Sequence, residues 1–552
     1  MVQPGSRTLS PIARAALAAA YAAFGWLLLT SAWTLAIAHF PGLYVDMWDE
    51  MPFLQRLDEG QSSLHDWMNA YAGSHRLLLS RAVFAMEHTV FQHANVLTAI
   101  VSVIFQCAAL ILALLFLRRA SLPLMMQRGL MALILAAGVS ALHLYNVLYP
   151  FLVQWFQVLA FSLLAFGCLI ATAHTGREKQ GAALAWLFAL LASFCNFPGV
   201  VAIFNLALLG IALRLTVRWP LAIVCVLTVI AQGLSLPDAD LDHHGAFEAV
   251  TNSPDILLIY PLYLIRFLGT PLTPLSEPAG MLLGSAIFMY TAWHGLRWLW
   301  QGKPQSPAAA FALAGLMWLC GTAIAVMMGR ALIPVTATTE RFHTLHLWLV
   351  PLLCMHWAFS ARSTRQRGAL AVVMTAWFVL LMYWQPIAIH NTLVNSQKVR
   401  MAHIAYTIGM TDWRTHPLLS IPHRAEKRNP ALDWKPYLQS TGNGIFAQSA
   451  SHWAGQYVIE SARRLPACIG NVAMTPLDNG FSAVRIGITH GARPAAAWVL
   501  DEHQQVIGYA LRALPGGLFD DTTALAGYSA TVDQWTVIGN PEHAPCLLGQ
   551  SL

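Results

Sequence analysis

The stretch 95-NVLTAIVSVIFQCAALILALLFLRR-119 decides the fold class. From Asn95 to Leu117 it carries no charge, and it ends on Arg118-Arg119. A helix rises about 1.5 Å per residue, and the hydrocarbon layer of a bilayer, about 30 Å thick, is crossed by about 20 apolar residues. This stretch is long enough to span, and its arginine pair marks a cytoplasmic end. Similar runs occupy 13–38, 128–146, 150–173, 219–236, 278–300, 307–329, 344–360 and 369–389. The 552 residues are 57% hydrophobic and 11% charged, well below the roughly 25% charged residues of soluble domains. A water-soluble fold is excluded for most of the chain. The formal charge of +6 is spread without a dense basic patch, which argues against a nucleic-acid partner. The basic leader Met1 to Arg14 precedes an apolar run longer than a signal-peptide core and without a small-residue cleavage site, so a retained helix is expected.

The segment 180–214 is broken by Asn196-Phe197-Pro198-Gly199, a strong interruption signal. Read as one helix, it separates Arg177 and Lys179 from Arg214 and Arg218. As a hairpin of two short helices it keeps both pairs on one side. The hairpin preserves the charge asymmetry and brings the expected number of spans to eleven. With the N-terminus inside, Arg7, Arg14, Arg118, Arg119, Arg128, Arg177, Lys179, Arg214, Arg218, Arg297, Lys303, Arg362, Arg365 and Arg367 are cytoplasmic, joined by one acid, Glu178. The opposite loops hold the acids, among them Asp46, Asp49, Glu50, Asp58, Glu59 and Asp66. The lysine and arginine bias repeats loop after loop and sets the orientation. The odd number of spans places 391–552 outside. The expected division is a membrane module over 1–390 with a long outer loop 39–93, short helices over 391–465, and a β-rich domain over 466–552 resembling a small β-sandwich. Its strands show in Phe481 to Ile488, Ala496 to Leu500 and Gln505 to Tyr509. Six cysteines lie in apolar segments. Cys468 and Cys546 lie near the two ends of the β-rich stretch, either as a disulfide on an oxidising side of the membrane or as two free thiols.

Three outer stretches carry chemistry. The first, 44-YVDMWDEMPF-53 with 57-LDEG-60 and 73-GSHR-76, continues into an amphipathic segment over 76–93 that could lie along the membrane surface. Asp49 and Glu50, beside Trp48, either cap the following helix or act as tunable carboxylates that take a proton from an acceptor hydroxyl. The second, 237-PDADLDHHGAFE-248, offers Asp240, Asp242, His243 and His244 to a divalent cation, although the spacing fits no known ion loop and acidic loops are usually solvated. The Arg266 segment follows it. The third holds Arg330 and 336-TATTERFH-343. An arginine at the outer membrane edge runs against the charge trend. Arg330 and Arg341 either grip a phosphate in bidentate fashion or are engaged by snorkelling or by Glu340.

Taken together, Trp48-Asp49-Glu50, the Gly60 turn, Asp66-Trp67, His75-Arg76, the Asn95 entry to the second span, and Arg330 with Glu340-Arg341-Phe342 resemble membrane glycosyltransferases of the GT-C fold. More closely, they resemble bacterial members with an acid-His-Arg triplet ending the first loop and an Arg-Tyr pair in a later one. In the tail, 408-IGMTD-412 and 444-GIF-446 are similar to the stretch that precedes a β-domain in those proteins. Ser74 stands where the family has an acid, and Phe342 where it has tyrosine.

The resemblance implies an enzyme of the bacterial inner membrane that takes a sugar from a polyprenyl-phosphate donor and passes it to a glycan, lipid or protein acceptor. Asp49, with Glu50 beside it, would be catalytic. Arg330, Arg341 and Arg266 would hold the donor phosphate, and Trp48, His75, Arg76, Glu340 and His343 would shape the site. No cofactor is implied beyond a possible divalent cation. An O-antigen-type ligase or polymerase needs its large outer loop late in the chain, whereas here it comes first. A transporter would show mid-span charges and matched halves. A bare anchor for the tail would need one helix.

Overall fold

The structure, a computed structural model, describes residues 10–40, 42–43, 45–68, 70–71, 75–234, 258–302, 306–330, 337–409, 430–441, 469–477, 480–490, 496–512, 525–539 and 546–550. In chain order its helices are α1 (Pro11–Ala38), α2 (Met51–Asp58), α3 (Leu64–Met68), α4 (Leu78–Phe91), α5 (Val96–Arg118), α6 (Leu124–Val139), α7 (Leu144–Leu148), α8 (Val153–Thr172), α9 (Glu178–Ser193), α10 (Pro198–Ala212), α11 (Arg218–Leu234), α12 (Ile259–Gly269), α13 (Glu277–Gln301), α14 (Pro307–Arg330), α15 (His343–Ser360), α16 (Thr364–Thr407) and α17 (Pro430–Thr441). Each apolar run is helical. Among the described residues, six helical segments are long and apolar enough to cross a membrane: Pro11–Ala38, Val96–Arg118, Leu124–Leu148, Pro150–Thr172, Pro307–Met328 and Thr364–Thr407.

The break at Asn196–Gly199 is a hairpin. Proline fits the first turn of a helix because its missing N–H has no partner there, and α10 opens on Pro198. A side chain at Gly199 would collide with the Ala192 backbone, its Cβ falling 2.1 Å from the carbonyl carbon, so α9 and α10 touch at the bend. At the other end, the Glu178 carboxylate accepts hydrogen bonds from the Thr216 amide at 2.9 Å and its hydroxyl at 2.7 Å. Arg177, Lys179, Arg214 and Arg218 therefore share one end of the bundle, where Arg214 also donates to the Gln301 carbonyl at 3.0 Å. Deeper in, Gln385 on α16 donates to the Leu27 carbonyl at 3.1 Å and the Ser31 hydroxyl at 2.9 Å, and accepts from the Ala141 amide at 2.8 Å. A buried carboxamide of this kind joins helices that have no hydrophobic preference for one another over lipid.

The boundary expected at 390 falls inside a single helix. Helix α16 runs for 44 residues, about 66 Å, some twice the hydrocarbon thickness. Its far end grips the end of α1 and the start of the first loop, with Arg400 donating to the Ile37 carbonyl at 3.0 Å and the His403 ring to the Leu43 carbonyl at 3.1 Å. Met401 and Ile404 on the same stretch pack with Ala496, Leu500, Val506, Tyr509 and Ile538 of the β-rich part. Thr407 and Tyr509 join their hydroxyls at 2.8 Å. Burial between two partners keeps this stretch helical, in place of the several short helices expected. Between residues 410 and 468 the described residues are those of α17.

A two-stranded ribbon of β1 (Ala70–Tyr71) and β2 (His75–Arg76) sits in the first loop. The tail holds β3 (Ile469–Pro476), β4 (Phe481–His490), β5 (Ala496–Leu500), β6 (Val506–Arg512), β7 (Leu525–Ala530), β8 (Thr536–Gly539) and β9 (Cys546–Gln550). They form one antiparallel sheet in the order β3-β4-β7-β6-β5-β8-β9, in place of the two facing sheets of a sandwich. Pairing of Ala497 with Gly539 and Val499 with Val537 carries the ladder across what would be the gap between sheets. The sheet rolls until a Cβ on Gly470 of β3 would meet Leu548 of β9. Side-chain alternation then divides the strand residues: Val484, Ile486, Ala497, Val499, Ala510 and Val537 fill the interior, while Ala496 and Leu500 face α16. Cys546 is disulfide-bonded and the six cysteines of the apolar segments are free. Cys468 lies outside the described residues.

Candidate functional site

Beyond α1 the chain makes a tight turn, Val45–Glu50, with three residues per turn, and passes into α2 through Met51 and Pro52. At that pitch residues i and i+3 eclipse. Asp46 and Asp49 share one edge, while Met47 and Glu50 share another. The two edges meet different surroundings.

Glu50 points inward. Its carboxylate accepts from Arg81 Nε at 2.7 Å and Nη2 at 3.1 Å, and the two side chains are 1% and 7% exposed. Arg81 also donates to the Asp66 carbonyl at 3.1 Å and lies over the Phe53 ring. This closed, bidentate pair holds α4 to the turn, and Glu50, 1% exposed, is a structural partner of Arg81. Helix α4 itself is fastened inward by Ser80 donating to Gln157 at 2.7 Å and by Glu87 accepting from the Thr98 amide at 3.0 Å. One face of the helix is thus packed against the bundle, while Met86 and Val90 are exposed on the other.

The Asp46 edge faces the other way. The Asp46 amide donates to the Tyr149 hydroxyl at 2.7 Å, and its carboxylate stands 4.0 Å from Arg341 Nη1. Burial raises the Asp46 carboxyl above its ordinary 3.8. Arg341 opposes this, Asp49 reinforces it, and Tyr149 and Arg330 oppose it further. The turn of the first loop, the end of α14, the Glu340–Phe342 turn and Tyr149 thus meet at one place. The Arg341 backbone is set by Asn146, which donates to its carbonyl at 3.1 Å and to the Thr344 hydroxyl at 2.7 Å.

Two adjoining cavities open beside this cluster, and both are lined by Tyr145, Glu340, Thr392 and Asn395. One, about 240 Å³, runs along Trp377, Leu380, Leu381, Trp384 and Ile387, with His343 and Asn391 also in its wall. The other, about 350 Å³, is bounded by Ala38, Phe40, Leu148, Ser396 and Val399. The Tyr145 hydroxyl lies within electrostatic reach of Glu340, Arg341 and Asp46, which ties the cavities to the charged cluster. Burial raises the Glu340 carboxyl, and Lys398 partly offsets this.

Of the residues singled out in the sequence, Asp49, Arg330 and Arg341 meet around Asp46, and Glu340 and His343 line the neighbouring cavity. Trp48 is a core residue, 2% exposed, packed against Tyr406. Arg266 is turned aside into an ion pair with Glu277. Arg76 is half-buried on the loop ribbon, where it pairs with Ala70 across the ladder; His75 shares that ribbon. Asp240, Asp242, His243 and His244 lie outside the described residues. Among the described residues no group of three or more His, Cys, Asp or Glu is placed to hold a metal. Sequence reasoning missed Asp46, Tyr149 and Arg81. The i, i+3 spacing of Asp46 and Asp49 was the available signal, whereas nothing local distinguishes Arg81 or Tyr149.

The class this arrangement defines is a helical protein compatible with several membrane crossings, carrying a β-rich C-terminal part and a buried acid–arginine cluster beside an apolar cavity. Comparison of the chain with protein-family models, curated proteins and solved structures finds no match.

Proposed function

We propose that this chain is a GT-C-type glycosyltransferase with eleven spans, an inside N-terminus and its tail on the periplasmic face of a bacterial inner membrane. It moves a sugar from a polyprenyl-phosphate carrier to a hydroxyl of a glycan, lipid or protein acceptor. The acceptor oxygen attacks the anomeric carbon, the bond from that carbon to the phosphate oxygen breaks, and polyprenyl phosphate leaves. The acceptor proton passes to Asp49, with Asp46 beside it. Arg341 and Arg330 balance the charge that gathers on the departing phosphate. The observation that carries this reading is the meeting of Asp46 and Asp49 with Arg341 and Arg330 across segments some 280 residues apart. The wall of Trp377, Leu380 and Trp384 suits an isoprenoid chain, and the bonded Cys546 suits an oxidising compartment.

The test uses purified protein in nanodiscs with a radiolabelled polyprenyl-phosphate monosaccharide and candidate acceptors. Release of polyprenyl phosphate with label on the acceptor is expected, and Asp49→Asn abolishes it while the protein stays folded. Full transfer by Asp49→Asn refutes the base assignment. Solute flux in proteoliposomes without any transfer replaces the enzyme reading with a transporter.

A further inference from the structure

The neck shared by the two cavities carries three polar groups with no assigned work: the Tyr145 hydroxyl, the Glu340 carboxylate and the Asn395 carboxamide. Among the described residues none of them has a hydrogen-bond partner or an ion pair, although each is at least half-buried. All three line the walls of the cavities, so their unspent donor and acceptor capacity is presented to one space, where a ligand's polar atoms belong. Thr392, on the same neck, spends its proton on the Ala388 carbonyl at 2.7 Å and keeps acceptor capacity.

We infer that this neck, with the cavity bounded by Phe40 and Leu148, is a subsite for an uncharged, polyhydroxylated ring carried on an aliphatic chain that lies along Trp377 and Trp384. The inference rests on the transferase reading for the identity of that ring as the transferred sugar, but its chemistry stands on the neck itself. A carboxylate accepts from two neighbouring hydroxyls at once, a carboxamide both donates and accepts, and a phenol donates. Phe40 and Tyr145 offer apolar faces to the C–H side of a ring. Glu340 repels a phosphate, which is drawn instead to the adjacent Arg341 on the Asp46 side. One residue step in the Glu340–Phe342 turn thus separates the subsite for neutral hydroxyls from the one for anions.

The experiment titrates the full-length protein in phosphatidylcholine nanodiscs with octyl β-glucoside below its micellar concentration, against an octyl oligo(ethylene glycol) ether of the same chain. Saturable binding with a rise in melting temperature is expected for the glucoside alone. Affinity should fall at least tenfold in Glu340→Ala and in Asn395→Ala, and several-fold in Tyr145→Phe. Equal binding of the two amphiphiles overturns the inference, as does unchanged glucoside affinity in the folded alanine variants. Should those variants fail to fold, Glu340→Gln keeps the volume and removes the charge, and unchanged affinity in that variant overturns the inference equally. Glucoside binding that persists where no donor supports transfer sinks the transferase reading and leaves this subsite standing. Transfer without glucoside binding does the reverse.

Discussion

Two arginine–carboxylate pairs flank the same short turn, and they are built to opposite specifications. Glu50 and Arg81 are sealed from water, in bidentate contact, with further acceptors around the guanidinium. Asp46 and Arg341 stand 4.0 Å apart, with 13% and 30% of their side chains exposed, beside an open cavity and a second acid. A pair sealed from water is also closed to a substrate, so it fixes shape. A loose pair with raised proton affinity on the acid can exchange its partner for a ligand. Both pairs join segments far apart in sequence, and only their degree of closure separates scaffold from site.

The sharpest way to break this comparison is at the sealed pair. Arg81→Met leaves Glu50 buried and unpaired, which is expected to destabilise by about 3–5 kcal/mol, read as a collapse of the detergent-solubilised protein in thermal unfolding. Glu50→Gln combined with Arg81→Met should recover much of that loss. A single variant as stable as wild type would show that the pair is not a clamp. At the loose pair the order reverses. Asp46→Asn should cost less stability than Arg81→Met, because a carboxamide at this buried position escapes the desolvation that raises the carboxyl, while lowering transfer about a hundredfold, the lower range for a positioned acid or base. Equal losses of stability at both pairs would erase the distinction.

A third measurement concerns the loop that carries both pairs. His88 bridges His93 at 2.7 Å and Asp58 at 2.9 Å, and Tyr437 of α17 donates to the same Asp58. Burial, with His88 nearby, pulls His93 from 6.5 down to about 3. The folded state therefore holds this ring neutral while the unfolded chain takes up a proton below 6.5. Its contribution is complete above pH 6.5 and drains away as pH falls toward 3. The melting temperature should drop between pH 7 and pH 5, and His93→Gln should remove part of that drop. An unchanged slope in the variant would remove His93 from the account. The smallest effect is expected for Tyr437→Phe, which deletes one hydrogen bond to a charged group, worth about 1.5–3 kcal/mol at most and less at this half-exposed position. Its mark is a modest loss of loop protection in hydrogen exchange.

Much of the scaffold was legible in the residues. The uncharged run closed by Arg118-Arg119, the interruption at Asn196–Gly199 and the apolar strand over Ala496 to Leu500 each report a local preference, and each appears as read. The continuation of α16 past 390 was not legible, because its C-terminal half is helical through contacts with the first loop and the β-rich part, and those partners are distant in sequence. The site was half legible. Residue type and outer position brought out Asp49, Arg330 and Arg341, but Glu50 looked equal to Asp49 until the pitch of the turn separated them.

By itself the sequence determined where the apolar helices lie, where three of the strands (β4, β5 and β6) lie, and where the basic residues fall relative to the apolar runs, because hydrophobic length, period and charge bias act over a few neighbouring residues. Only the tertiary structure decided which carboxylate is sealed by Arg81, which one meets Arg341, and that Glu340 looks into a cavity while Arg266 turns to Glu277. Those outcomes depend on which distant side chains fill each edge of a three-residue turn, and no local preference encodes them.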